Sequence, residues 1–300
     1  MKNLIISICF ISFSFTQVFS TYDYVDSKAT AMSGAVTSGP GGSWSIFHNP
    51  AQLSELNNVG FINGYSKIYN LNFLQYYTIG LFCNSYAINF EKLATNINGE
   101  ELSSESVIGL SKGINFYKDK QSKLQGGIRL NLYQYNLGQS SGMEGDGSLG
   151  SSLGSDSGFG VDIGFQGVLH NKYYIAYYLQ NINSPSIGYG LGTDLPKSIS
   201  IGLSYRPYED LLTSLDFNQL SGHTDSEIRF GIEYIITENL VLRTGIQSNP
   251  NRFSGGFAYQ FPILKNQFQK PFPNLEIAYS FITHHIMPTT HQISVGFTLK

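Results

Sequence analysis

From Lys197 to Ser248, apolar and polar residues alternate with a period of two through one segment after another, and few folds accommodate that pattern. Ile199, Ile201, Leu203 and Tyr205 alternate with Ser198, Ser200, Gly202, Ser204 and Arg206. Leu211, Thr213, Leu215 and Phe217 do so with Leu212, Ser214, Asp216 and Asn218, and Ile228, Phe230, Ile232 and Tyr234 with Arg229, Gly231 and Glu233. Successive strand side chains point to opposite faces, so each segment reads as a β-strand with one greasy face and one polar face that carries charge. A soluble sandwich closes its greasy faces on a shared core, whereas a transmembrane barrel turns them to lipid and keeps its polar faces in a lumen. Alternation is common to both, and the rest of the chain separates them.

The N-terminus reads as an export signal over residues 1–20. Lys2 supplies the positive region, residues 4–15 the apolar region, and Val18-Phe19-Ser20 a cleavage site before Thr21. The apolar run is short for crossing about 30 Å of hydrocarbon. Cys9 follows Ile8 rather than a small residue, unlike a lipoprotein cleavage site. Removal of the signal leaves Cys83 as the single cysteine, so neither an intramolecular disulfide nor a multi-cysteine metal site is expected. Charged residues make up only 13% of the chain against 14% aromatic, with 32 Gly, 20 Tyr and 21 Phe but one Trp. No run after the signal approaches the roughly twenty apolar residues of a membrane-crossing helix. Export, low charge and alternation together point to the bacterial outer membrane and to an all-β, antiparallel transmembrane barrel with outer-membrane lipid around it. A net charge of −3 gives no sign of nucleic-acid binding.

Residues 21–56 do not alternate. Asp26 or Ser27 is placed to cap a short helix through Ala29, Ala31, Met32 and Ala35, ended by Gly39-Pro40-Gly41-Gly42, and residues 44–53 read as a compact loop. The barrel is expected over residues 57–300. Strands fall near 59–65, 73–82, 86–91, 107–116, 124–137, 159–169, 173–180, 198–206, 211–218, 228–236, 240–247, 253–261, 275–281 and 293–299, about fourteen in all. The connections have the matching parity: Asn84-Ser85, His170-Asn171 and Thr237-Glu238-Asn239 are tight turns on one side, and the Gly- and Ser-rich stretch 138–157 is a long loop on the other. An open edge in hydrocarbon would strand backbone N–H and C=O groups, so the first and last strands are expected to pair.

Two regions resemble the PorV/PorQ branch of the FadL-like outer-membrane proteins. One is Ala31-Met32-Ser33-Gly34-Ala35 followed by Ile46-Phe47-His48-Asn49-Pro50-Ala51-Gln52-Leu53. The other begins with Leu195-Pro196, continues through Leu215-Asp216, Gly231-Ile232-Glu233-Tyr234 and residues 240–245, and ends in Thr290-His291-Gln292-Ile293-Ser294-Val295-Gly296-Phe297. The chain departs from the family at Gly42, where an acidic residue is expected, and at its Leu299-Lys300 ending. The resemblance implies a fourteen-stranded barrel whose segment 21–56 enters the lumen as a hatch. It further implies passage of hydrophobic small molecules such as fatty acids or, alternatively, a part in type IX secretion that binds exported cargo.

On this reading Trp44, Phe47, Asn49, Pro50 and Ala51 are the gating candidates, although packing of the hatch on the wall explains the same residues. Arg129, Asp162, Arg206, Asp216, Arg229, Glu233, Arg243 and Glu276 are expected in the lumen, either lining a conduit or pairing with one another to offset their desolvation. Enzymatic and metal chemistry find no purchase. The Gly39–Gly42 cluster lacks the strand and the Lys-Ser/Thr ending of a phosphate-binding loop. His284 and His285 are adjacent, Glu144-Gly145-Asp146 lacks calcium-loop spacing, and no Gly-x-Ser-x-Gly elbow occurs. No cofactor is expected.

Overall fold

The computed structural model describes residues 22–97, 99–140, 142, 150–188, 193–221, 226–262 and 273–299. The signal segment 1–20 and the acidic triplet Glu144-Gly145-Asp146 lie outside the described residues.

The strands are β1 (Val59–Lys67), β2 (Leu74–Cys83), β3 (Tyr86–Ile97), β4 (Glu100–Lys118), β5 (Lys123–Leu137), β6 (Ser155–Leu169), β7 (Tyr173–Gln180), β8 (Ser186–Ile187), β9 (Thr193–Asp194), β10 (Ser198–Tyr208), β11 (Leu211–Leu220), β12 (Ser226–Thr237), β13 (Leu240–Gln247), β14 (Arg252–Pro262), β15 (Pro273–Ile282) and β16 (Thr290–Leu299). All but β8 and β9 form one closed antiparallel barrel of fourteen strands, in which each strand pairs with its neighbours in sequence and β7 pairs with β10. Closure runs from Val59 opposite Leu299 to Lys67 opposite His291, so no backbone edge faces lipid. The pair β8–β9 is a separate two-stranded ribbon in the connection between β7 and β10.

Alternation becomes geometry without a slip. On β10, Ser198, Ser200 and Ser204 are buried while Ile199, Ile201, Leu203 and Tyr205 are exposed; on β12, Arg229 and Glu233 are buried and Ile228, Phe230 and Tyr234 exposed. The outer face is therefore an apolar belt, as a bilayer-spanning barrel requires. Tyr173 and Tyr205 stack on it with ring centroids 4.9 Å apart. The tight turns use left-handed residues, Asn84 (φ 45°) with Ser85 (φ 69°) and His170 (φ 53°) with Asn171 (φ 52°), the hairpin geometry whose twist matches that of the strands.

Two expectations need correction. The expected third and fourth strands, 86–91 and 107–116, are far shorter than β3 and β4, which continue to Ile97 and start at Glu100. Glu100–Ser106 mixes Glu, Leu and Ser without alternation, so no period-two signal is written there. The helix is also shorter than expected. It spans Ser27–Ala31, capped by the Asp26 carboxylate, which accepts from Lys28 N and Ala29 N. It stops at Met32 because Ser33 (φ 51°) and Gly34 (φ 80°) turn left-handed, well before Gly39. Two 3₁₀ turns, Ser43–Phe47 and Pro50–Glu55, make up the loop that follows.

Residues 22–56 lie inside the barrel, and Asp26, Ala29, Met32, Ile46, Asn49, Ala51 and Leu53 are completely buried there. Close approach to the wall depends on wall glycines. A Cβ on Gly127 would overlap the Pro50 carbonyl, and one on Gly164 would overlap Asn49 Oδ1. Gly127→Val is expected to leave the barrel formed, with its usual heat-modifiable migration, while displacing residues 49–55 and exposing them to added protease in detergent. Protection as in the parent protein would refute this account of Gly127.

Candidate functional site

An irregular segment in a lumen must find partners for its backbone groups, and the polar faces of the strands supply them. The Thr37 N–H donates to Asp216 Oδ2 at 2.7 Å. Gln166 Nε2 donates to the Gly39 carbonyl at 3.0 Å, and Gln292 Nε2 to that of Val25 at 2.9 Å. Ser254 Oγ donates to the Ala31 carbonyl at 2.8 Å. Arg129 does most. Its Nη2 donates to the carbonyls of Ile46 (2.7 Å) and His48 (2.8 Å), and its Nη1 to the Phe47 carbonyl (3.2 Å) and Tyr178 Oη (3.1 Å). Its Nε donates to Ser111 Oγ at 2.9 Å. One guanidinium thus holds three consecutive carbonyls, with all five donors engaged.

The other expected lumen charges divide into groups. Glu233 receives Lys28 Nζ at 3.2 Å and Arg243 Nε at 2.8 Å, and Arg243 Nη2 lies 3.8 Å from Glu276. Glu276 in turn accepts from the Trp44 indole at 3.1 Å, so this cluster ties both the helix and the first 3₁₀ turn to the wall. Arg229 is paired with Asp23 and Glu227. Asp162 accepts from Asn131 Nδ2 (2.8 Å), Tyr178 Oη (3.0 Å) and Asn181 N (2.9 Å). Arg206 stands apart: it is half-buried, beside the register shift between Tyr205 and Tyr208 at the short-turn end of the barrel.

Of the gating candidates, Asn49 is the most constrained. Its Oδ1 accepts from Ala51 N at 3.0 Å, capping the second 3₁₀ turn, and its Nδ2 donates to the carbonyls of Thr37 (3.2 Å) and Phe165 (3.4 Å). Pro50 starts that turn. Phe47 packs in the apolar cluster of Trp44, Ile46, Ile62 and Phe82.

Sequence reasoning missed a buried pair inside the segment, His48 Nε2 at 2.9 Å from Asp26 Oδ2. Burial works against the charged form of Asp26, but the adjacent His48 ring and the helix N–H groups outweigh it and hold the carboxyl below its ordinary value. A depressed carboxyl stabilises the fold at every pH above its unfolded value of about 3.9, and the contribution is lost as pH falls through the lower folded value. Asp26→Asn is expected to remove that acid limb, flattening stability below about pH 4, as followed by heat-modifiable migration across an acid series. An unchanged acid limb would exclude Asp26 as its source.

Toward the loop end of the lumen lies a cavity of about 150 Å³. Its floor is Phe47, His48 and Asn49, its sides include Tyr76, Tyr133, Tyr178 and Asp162, and Leu195 and Pro196 cover it. The cover is held by Leu195 and Ile187, buried against Val107, Tyr133 and Tyr135. The lining tyrosines Tyr22, Tyr76, Tyr133 and Tyr178 are also absent from the sequence-derived site. Tyr178 shares the parity of Tyr174, Ala176 and Gln180, and that parity marks it as lumenal.

A scan against protein-family models and a search of curated proteins each returned no match. Solved structures do match. The Pseudomonas putida toluene transporter TodX aligns over 95% of this chain and 99% of its own, with a TM-score of 0.55 at 13% identity. A Pseudomonas aeruginosa FadL homologue aligns over 92% and 98%, with a TM-score of 0.54 at 10% identity. The Ralstonia pickettii toluene transporter TbuX aligns over 91% and 97%, with a TM-score of 0.51 at 12% identity.

The fold is FadL-like.

The likeness reaches the FadL-like barrel and not the PorV/PorQ branch. Two of these neighbours, TodX and TbuX, are described as toluene transporters. Among the described residues, no three or more His, Cys, Asp or Glu side chains are grouped to hold a metal ion.

Proposed function

We propose that the chain is a non-enzymatic channel of the bacterial outer membrane, passing small, sparingly soluble organic molecules, with residues 22–56 as its hatch. The observation that carries this reading is the cavity on the loop side of a segment that fills a closed barrel and is held there by hydrogen bonds and ion pairs. Each typical hydrogen bond contributes only about 0.5–1.5 kcal/mol net, and none of these contacts belongs to the strand ladder, so a shift of the segment leaves the ladder intact. The ligand enters past the β8–β9 cover, rests above Phe47–Asn49, and leaves when the hatch moves. The FadL-like neighbours described as toluene transporters support passage of an organic solute.

Trp44, the single tryptophan, makes the hatch observable because it is buried and its indole is tied to Glu276. Adding a transported solute to the protein in lipid vesicles is expected to red-shift Trp44 emission and raise its quenching by a water-soluble quencher. Measured solute flux with no change in Trp44 emission or quenching would reject the gating role of this segment.

A further inference from the structure

The lining of the lumen cavity narrows the ligand class, an inference that rests on the channel reading above. Size comes first. About 150 Å³ is the room of one ring, since an engineered apolar cavity of ~150 Å³ holds a single benzene. Charge comes next. Both guanidiniums that line the space are committed to protein acceptors: Arg129 to five hydrogen bonds, and Arg229 to Asp23 and Glu227. The lining carboxylates Asp23, Glu91, Glu105 and Asp162 outnumber them. His48, the other lining group able to carry positive charge, is paired with Asp26 at 2.9 Å. A carboxylate ligand would enter with no uncommitted cation to receive it, and an unpaired buried anion is strongly disfavoured.

Polarity is the third constraint. Asn131, Gln180, Asn181 and Ser200 line the same space, alongside the tyrosines. Polar lining of this kind holds water, and a hydrocarbon that displaces it returns no hydrogen bonds. We infer that the cavity selects a small, uncharged, single-ring molecule carrying a hydroxyl, of the phenol class, over both an unsubstituted hydrocarbon and a carboxylate. The ring packs among the Tyr76, Tyr133 and Tyr178 side chains while the hydroxyl takes the place of a water.

The test is calorimetric titration of the full-length barrel in detergent with phenol, toluene and benzoate. Leu93→Trp fills the cavity and serves as the control for partition into micelles, because Leu93 lines the space. Phenol is expected to bind saturably, toluene at least about tenfold more weakly, since stranding a buried polar group costs that much or more, and benzoate not at all. Phenol binding should vanish in Leu93→Trp protein that retains heat-modifiable migration. Gln180→Met, which keeps the side-chain length and removes an amide whose one bond, to Tyr178, is a long 3.4 Å, should narrow the phenol-to-toluene ratio several-fold. That variant and the parent ratio decide the matter even if Leu93→Trp does not fold. Toluene binding as tight as phenol, saturable benzoate binding, or phenol binding that survives Leu93→Trp in a folded barrel would each overturn the inference. Phenol binding without phenol flux in vesicles would sink the channel reading and leave the site standing. Flux that favours toluene would do the reverse.

Discussion

Arg129→Met is expected to destabilise the barrel by about 3–5 kcal/mol, the cost of removing one member of a buried charged network. The side chain is 4% exposed, and its loss strips donors from the carbonyls of Ile46, Phe47 and His48, from Tyr178 Oη and from Ser111 Oγ at one stroke. It also removes the guanidinium beside Asp162, leaving a buried carboxylate with neutral donors only. Methionine keeps most of the apolar volume, so the loss reports hydrogen bonding rather than a void. Arg206→Met is the comparison. Arg206 is half-buried near the short-turn end, and its replacement is expected to stay within about 0.5 kcal/mol of the parent. Denaturant-induced unfolding in detergent or lipid measures both. Equal effects at the two positions would show that Arg129 is an ordinary wall residue, and a loss at Arg129 without altered Trp44 emission would show that the effect does not pass through residues 46–48.

The second large effect is on permeability. Deleting residues 22–56 removes the filling of a fourteen-stranded barrel, a width beyond the eight-strand size at which wall side chains alone close the interior. The strand ladder does not include the deleted residues, and β1 still has β2 and β16 to pair with. The expected result is a folded, heat-modifiable barrel whose conductance in planar bilayers rises from near the baseline to open, porin-like steps. Lys28→Ala combined with Glu276→Gln should give a partial version, intermittent openings, because it loosens the helix and the first 3₁₀ turn together. A deletion variant that folds and remains closed would mean that the loops, rather than segment 22–56, occlude the lumen.

How much of this was legible depended on where a residue sits relative to lipid. Ser198–Tyr208 could be read directly because a bilayer enforces the contrast at every second position, and the faces of Ile199, Leu215, Arg229 and Glu233 follow from parity alone. Glu100–Ser106 could not, since its Glu and Ser residues fall on both faces of the strand and leave no contrast at every second position. Tyr178 was legible in principle by parity, but tyrosine is at home both in an interfacial girdle and in a lumen, so its type did not decide. The pairings were of another kind. Nothing local connects Arg129 to the carbonyls of residues 46–48, or Lys28 to Glu233, because those partners are more than eighty residues apart and meet only when the barrel closes around the segment.

By itself, then, the sequence determined the wall: alternation enforced by lipid on one side and a polar lumen on the other specifies strand number, register parity and closure. The tertiary structure alone decided what fills that wall and what room is left. Whether Arg129 lines a conduit or clasps a backbone, and whether the lumen keeps a cavity of about 150 Å³ above Phe47–Asn49, depends on how an irregular chain packs against glycines and polar side chains contributed by distant strands. A two-residue period carries the sidedness of each strand and contains no term for contacts across the barrel.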